Sequence, residues 1–174
     1  MRFGLFFPDL AARERRSIIL EEPAFQFGRL VLPDDEYAFE ELYCVETGCD
    51  CRRVMMNVLS RNMRKHIATI NHAFEPPTRD DEVPEQTFLD PINVQSEWSV
   101  ALLDIFKNLV LSDRAYRKRL VRHYRLVKDA VADPAHPCQQ LLRKAELEEE
   151  KGIVEAMRRS PIPPPPRRGK RKWR

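Results

Sequence analysis

Apolar residues change their spacing partway along this chain. Between residues 37 and 74 they follow a period of two, the period of a strand. Tyr37, Phe39 and Tyr43 share one face of the segment 37–44, with Glu41 the exception on that face. Residues 51–60, rich in Val and Met, and residues 65–74, with Ile67, Thr69 and Ile70 at β-branched positions, read as a second and third strand. The joining segments are short: 45–50 carries Gly48 and 61–64 carries Asn62. Short joins favour an antiparallel meander. Residues 1–35 have no clear period, apart from a short strand over 25–32 closed by Pro33 and a turn at 34–36.

Beyond residue 96 the period lengthens to that of a helix. Ser96 is the expected N-cap of a first helix carrying Trp98, Leu102, Ile105, Phe106 and Leu109. Asp113 caps a second, running to about residue 131, with Tyr116, Leu120, Tyr124, Val127 and Val131 on one stripe. Asp133 and Pro134 end it. A third covers about 137–159, apolar at Leu141 and Leu142 and then a charged rod. The expected fold class is α+β, an N-terminal antiparallel β-meander followed by about three α-helices. Prolines at 76, 77, 84 and 91, with acids at 80–82, place a linker over 76–95. It separates a β-rich module (1–75) from a helical region (96–159). A proline-rich basic tail (160–174) is expected to be polyproline II and then disordered.

Charge alters this picture in one respect. The net charge of +3 hides an asymmetry. Residues 158–174 hold eight Lys/Arg and no acid, so residues 1–157 carry 22 basic against 27 acidic side chains. The body is acidic and the tail basic. The helix over 113–131 is also rich in Arg and Lys, but on an acidic body it reads as a solvated face. No stretch approaches the roughly 20 apolar residues of a membrane span. The apolar start, Phe3 to Phe7, turns charged too soon for a secretory signal. A cytoplasmic, reducing location is therefore expected, with no membrane partner, where cysteines serve more often as ligands or free thiols than as disulfides.

Three of the four cysteines fall within eight residues, Cys44, Cys49 and Cys51, spaced C-x4-C-x-C across the first hairpin. Zinc takes about four soft ligands in a tetrahedron. A turn at Gly48 can bring Cys44 back beside Cys49 and Cys51, which share a side if the backbone there is extended. Arg52 and Arg53 would offset thiolate charge. For the fourth ligand there are two candidates. Continuing the second hairpin without interruption pairs Arg53 with His72 and Cys51 with Phe74, which leaves His72 one diagonal step from Cys51. Cys138, before the last helix, is the other, with His136 beside it as a further donor. The competing reading of the cluster is packed or redox-active thiols.

The run from Tyr43 and Cys44 to Cys49-Asp50-Cys51-Arg52-Arg53-Val54 resembles a group of uncharacterised bacterial proteins that share a Y-C-x4-C-D-C-R-R-V signature. Residues 88–96 and the helix around Tyr116, Arg122, His123 and Tyr124 resemble their second half, so the likeness covers about residues 30–130. Some members carry a SEC-C zinc motif, which this chain lacks. The resemblance implies a shared cysteine site and no known activity.

No glycine-rich phosphate loop, G-x-S-x-G or H-E-x-x-H motif occurs. Asp90, followed by Pro91, reads as a turn former. The expected function is a non-enzymatic zinc-binding interaction or adaptor protein, the zinc being structural and the protein partner unknown. Two alternatives stand beside it. One is a nucleic-acid-associated protein whose tail residues Arg167, Arg168, Lys170, Arg171, Lys172 and Trp173 grip backbone phosphates and stack a base. The other is a thiol- or metal-dependent enzyme using Cys49 or Cys51 with a histidine.

Overall fold

In a computed structural model, which describes residues 1–21, 26–27, 30–78 and 83–159, the chain is α+β. Five antiparallel strands form the main sheet in the order β1-β4-β5-β6-β7. These are β1 (Arg16–Leu20), β4 (Asp35–Leu42), β5 (Arg53–Ser60), β6 (Lys65–Ala73) and β7 (Thr87–Leu89). The meander β4-β5-β6 is the one the alternation of apolar residues predicts. β1, which the sequence pattern did not supply, pairs with β4. Where a single short strand was expected over 25–32, a separate hairpin of β2 (Gln26–Phe27) and β3 (Leu30–Val31) lies between them in the chain. Two short helices, α1 (Phe3–Phe6) and α2 (Pro8–Arg13), precede β1.

The core forms on one face of the sheet. Tyr37 and Phe39 of β4, Val54, Met56 and Val58 of β5, and Ala68 and Ile70 of β6 are all buried there. They meet α3 (Ser99–Ile105) and α4 (Arg114–Ala132), whose inward stripe holds Leu102, Phe106, Tyr116, Leu120 and Val127. Asp113 caps α4 as expected, accepting from the Ala115 and Tyr116 amides. The helix starts at Ser99, and Ser96 caps the turn that leads into it: its Oγ accepts from the Trp98 amide at 3.3 Å and its own amide donates to Ser99 Oγ at 2.8 Å. After Ile105 the helix widens to a π-helical turn, Phe106–Val110, closed by the Leu111 amide on the Phe106 carbonyl. The extra residue swings Leu109 outward to 52% exposure and puts Val110 in the core instead.

The opposite face of the sheet is covered in part by the loop after β7. Asp90 receives the Ile92 and Asn93 amides and the Asn71 side chain, so it is the turn former its sequence context suggests. The segment 76–95 is not simply a linker, because it contains β7. The chain divides at a later point, into units Met1–His136 and Pro137–Arg174. In the second unit α5 (Cys138–Arg159) is a mostly exposed charged helix with a Lys144–Glu148 pair one turn apart. Residues 160–174 lie outside the described residues. No helix among the described residues is long and apolar enough to cross a membrane.

Candidate metal centre

The loop joining β4 to β5 carries all three clustered cysteines. β4 ends at Leu42, and Tyr43 anchors the loop, its backbone paired with Met1. The chain reverses at Thr47 and Gly48, where Gly48 takes φ +78°, a left-handed conformation that costs glycine little. The Cys49 amide then returns to the Glu46 carbonyl at 3.3 Å, and the Cys51 amide points at Cys49 Sγ at 3.5 Å. The sulfurs of Cys44, Cys49 and Cys51 consequently all lie within 4.8 Å of one another. Thiolates on a tetrahedral ion at about 2.3 Å sit about 3.8 Å apart, so small rotations would let all three reach one ion. The three side chains are partly exposed and none is in a disulfide.

Their surroundings make the three thiols unequal. The Cys51 amide, then the neighbouring thiols and the Lys128 ammonium, hold the Cys49 thiol below its ordinary value. Burial first, and the adjacent sulfurs second, push Cys51 up to about 12. A metal ion would remove that difference, because it binds the thiolate form of each. Of the two arginines the sequence suggested, Arg53 lines the same depression as Cys44 and Cys51. Arg52 forks onto Glu75, with Nε 2.9 Å from Oε1, and Lys128 of α4 reaches the loop, donating to the Cys49 carbonyl at 2.8 Å. Nothing in the local sequence marks Lys128, which lies 79 residues away.

Of the expected fourth ligands, His72 falls elsewhere in the first unit. The β5–β6 register changes between Val58 and Leu59, and Ile67 is the extra residue of a β-bulge. His72 therefore pairs with Val54 and not with Arg53. One step of register turns a side chain to the other face. His72 lies on the core face, 6% exposed, its Nδ1 2.8 Å from Thr87 Oγ1 and its ring against Phe74 and Phe106. Cys138 is buried and begins α5 in the second unit. Among the described residues the converging metal-ligand group consists of Cys44, Cys49 and Cys51. The tail residues Arg167, Arg168, Lys170, Arg171, Lys172 and Trp173 lie outside the described residues.

No protein family, curated protein or solved structure matches the chain.

A second polar cluster was not foreseen from the sequence. Glu41, the acid on the inward face of β4, meets His123 of α4. Glu41 Oε2 lies 2.6 Å from Nδ1 and accepts the Tyr43 hydroxyl at 2.8 Å. On the other side of the ring Nε2 lies 3.0 Å from Glu14, which Arg122 also pairs with. Phe3 stacks on the imidazole at 4.0 Å. His123 is 1% exposed and Glu41 8%. The signal was available: an acid on an apolar strand face and a histidine within the apolar stripe of α4 are complementary buried groups.

Proposed function

We propose that this protein is a non-enzymatic zinc-binding interaction protein, in which Cys44, Cys49 and Cys51 hold a structural zinc ion. The observation that carries this reading is the convergence of three sulfurs from one ten-residue loop. Three cysteine sulfurs favour a soft or borderline ion over magnesium or calcium, which prefer oxygen. Bound there, the ion would tie the end of β4 to the start of β5. The fourth position would be taken by a donor from the partner, since the cysteines are partly exposed.

An interaction role draws support from the surface beside the cysteines. Cys44 and Cys51 share a depression of about 330 Å³ with Met55, Asn71 and Asn93. Asn93 is flanked by Ile92, 90% exposed, and Val94, 52% exposed. Apolar side chains held outward on a loop tied down by Asp90 suit a protein partner better than open solvent.

The reading is tested by elemental analysis of the chain purified without chelators or a histidine tag. About one zinc per chain is expected. A chain free of metal that does not take up added zinc would remove the proposal and leave the cluster as thiols. A second reading concerns the tail, where six of the last eight residues are basic and one is Trp. Deleting residues 160–174 is expected to abolish salt-sensitive binding to single-stranded nucleic acid in a gel-shift assay. Unchanged binding after the deletion would exclude the tail as its source.

A further inference from the structure

A cleft in the first unit has no cysteine in its lining, and the metal reading makes no use of it. It has a volume of about 650 Å³, within the range of small-molecule sites. Its base is formed by β6, the stretch entering β7, and the corner between the π-helical turn and α4.

Three features of the cleft point the same way. First, it contains a nearly buried histidine held in a fixed orientation. His72 Nδ1 is tied to Thr87 Oγ1, and Phe74 and Phe106 meet its ring edge-on. Burial, and then the charge of Arg117, push its pKa down to about 4, so the ring is neutral near pH 7. Second, the lining charge is positive. Among the described residues, Lys107 and Arg117 line the cleft together with one acid, Glu85. Third, Lys107 sits on the π-helical turn. Such turns are less stable than α-helix and recur at functional sites. Here the widened turn keeps Phe106 in the core, in contact with both Phe39 and His72, while the next residue lines the cleft. Apolar wall is available from Phe74, Leu111 and Val121.

We propose that this cleft binds a small organic phosphate, its phosphoryl oxygens paired with Arg117 and Lys107 and its organic part laid against Phe74, Leu111 and Val121. Guanidinium and ammonium groups together match a dianionic phosphate, the first through paired N–H donors and the second as a point charge. Thr87 and the neutral His72 form the hydrogen-bonding wall. A cleft this large has room for a molecule well beyond inorganic phosphate, so affinity should rise when an aromatic or sugar group is attached. The site is independent of the cysteine centre, and its failure would leave the zinc reading intact.

The test uses the full chain, titrated with inorganic phosphate and with phenyl phosphate and followed through the His72 ring resonances by NMR. Saturable shifts are expected with both, with phenyl phosphate the tighter. The bound dianion should also raise the titration midpoint of His72 from about 4. Lys107→Ala with Arg117→Ala, both exposed positions, should leave the fold intact and weaken binding about tenfold or more. Glu85→Gln should tighten it by removing a like charge from the lining. Absence of a saturable His72 shift at millimolar ligand would overturn the proposal, and so would equal affinity in the double variant.

Discussion

A chain carrying Cys49→Ser is expected to come through purification without zinc and to melt on the order of 10 °C below the parent chain. Cys49 is the sulfur at the centre of the loop, touched by the Cys51 amide and by both neighbouring thiols. A serine hydroxyl is a poor zinc ligand, and two remaining sulfurs do not hold the ion. A ligand present at a thousand times its Kd stabilises the folded chain by about 4 kcal/mol. For a chain of this size each kcal/mol moves Tm by about 2–4 °C. Calorimetry with and without a chelator measures the effect. Chelator should lower the Tm of the parent and leave Cys49→Ser unmoved. A parent Tm indifferent to chelator would show that no metal supports the fold, whatever the elemental analysis finds. Cys49 is partly exposed, so a metal-free loss from the substitution alone should stay within about 1 kcal/mol.

The second large effect is expected at His123→Ala, with a loss of about 3 kcal/mol, the consequence of leaving a buried acid without its hydrogen-bond partner. The substitution removes the ring that lies between Glu41 and Glu14 and on which Phe3 stacks. It leaves the buried Glu41 carboxylate with the Tyr43 hydroxyl, whose single proton is already shared with the Leu120 carbonyl at 3.1 Å. The penalty therefore arises from the stranded partner more than from the lost bond. This distinction can be measured. Glu41→Leu combined with His123→Leu removes both polar groups and should be less destabilising than His123→Ala alone, as read by urea denaturation. If the double variant is the less stable of the two, the network contributes more than its partners' desolvation costs, and the stranded carboxylate is not the source of the penalty.

The same two residues mark the reach of sequence pattern. Glu41 stood out as an acid on the apolar face of a strand. Its partner lies 82 residues later, on a helix stripe defined by apolar neighbours. Periodicity places each residue on its face but says nothing of which face meets which. His72 was misplaced as a fourth ligand for a local reason. Counting outward from the turn at 61–64 assumed an unbroken ladder, and the bulge at Ile67 shifts every later pair by one. His72 then turns from the cysteine side to the core. Bulges leave little trace in a run such as Ile67-Ala68-Thr69-Ile70, where both faces are buried.

What the sequence by itself determined is the class and the backbone of the answer. Alternation in 37–74 and helical spacing after residue 96 establish an antiparallel meander followed by helices, because each period exposes one face and buries the other. The C-x4-C-x-C spacing with Gly48 between the ligands is enough to gather three sulfurs, since all three lie in one short loop closed by local geometry. What only the tertiary structure decided involves residues distant in the chain. The addition of β1 and β7 to the sheet edges, the approach of Lys128 to Cys49, the burial of His123 between two acids and the cleft around His72 all depend on register and packing. Those are set by the fit of side chains between elements, which no local pattern contains.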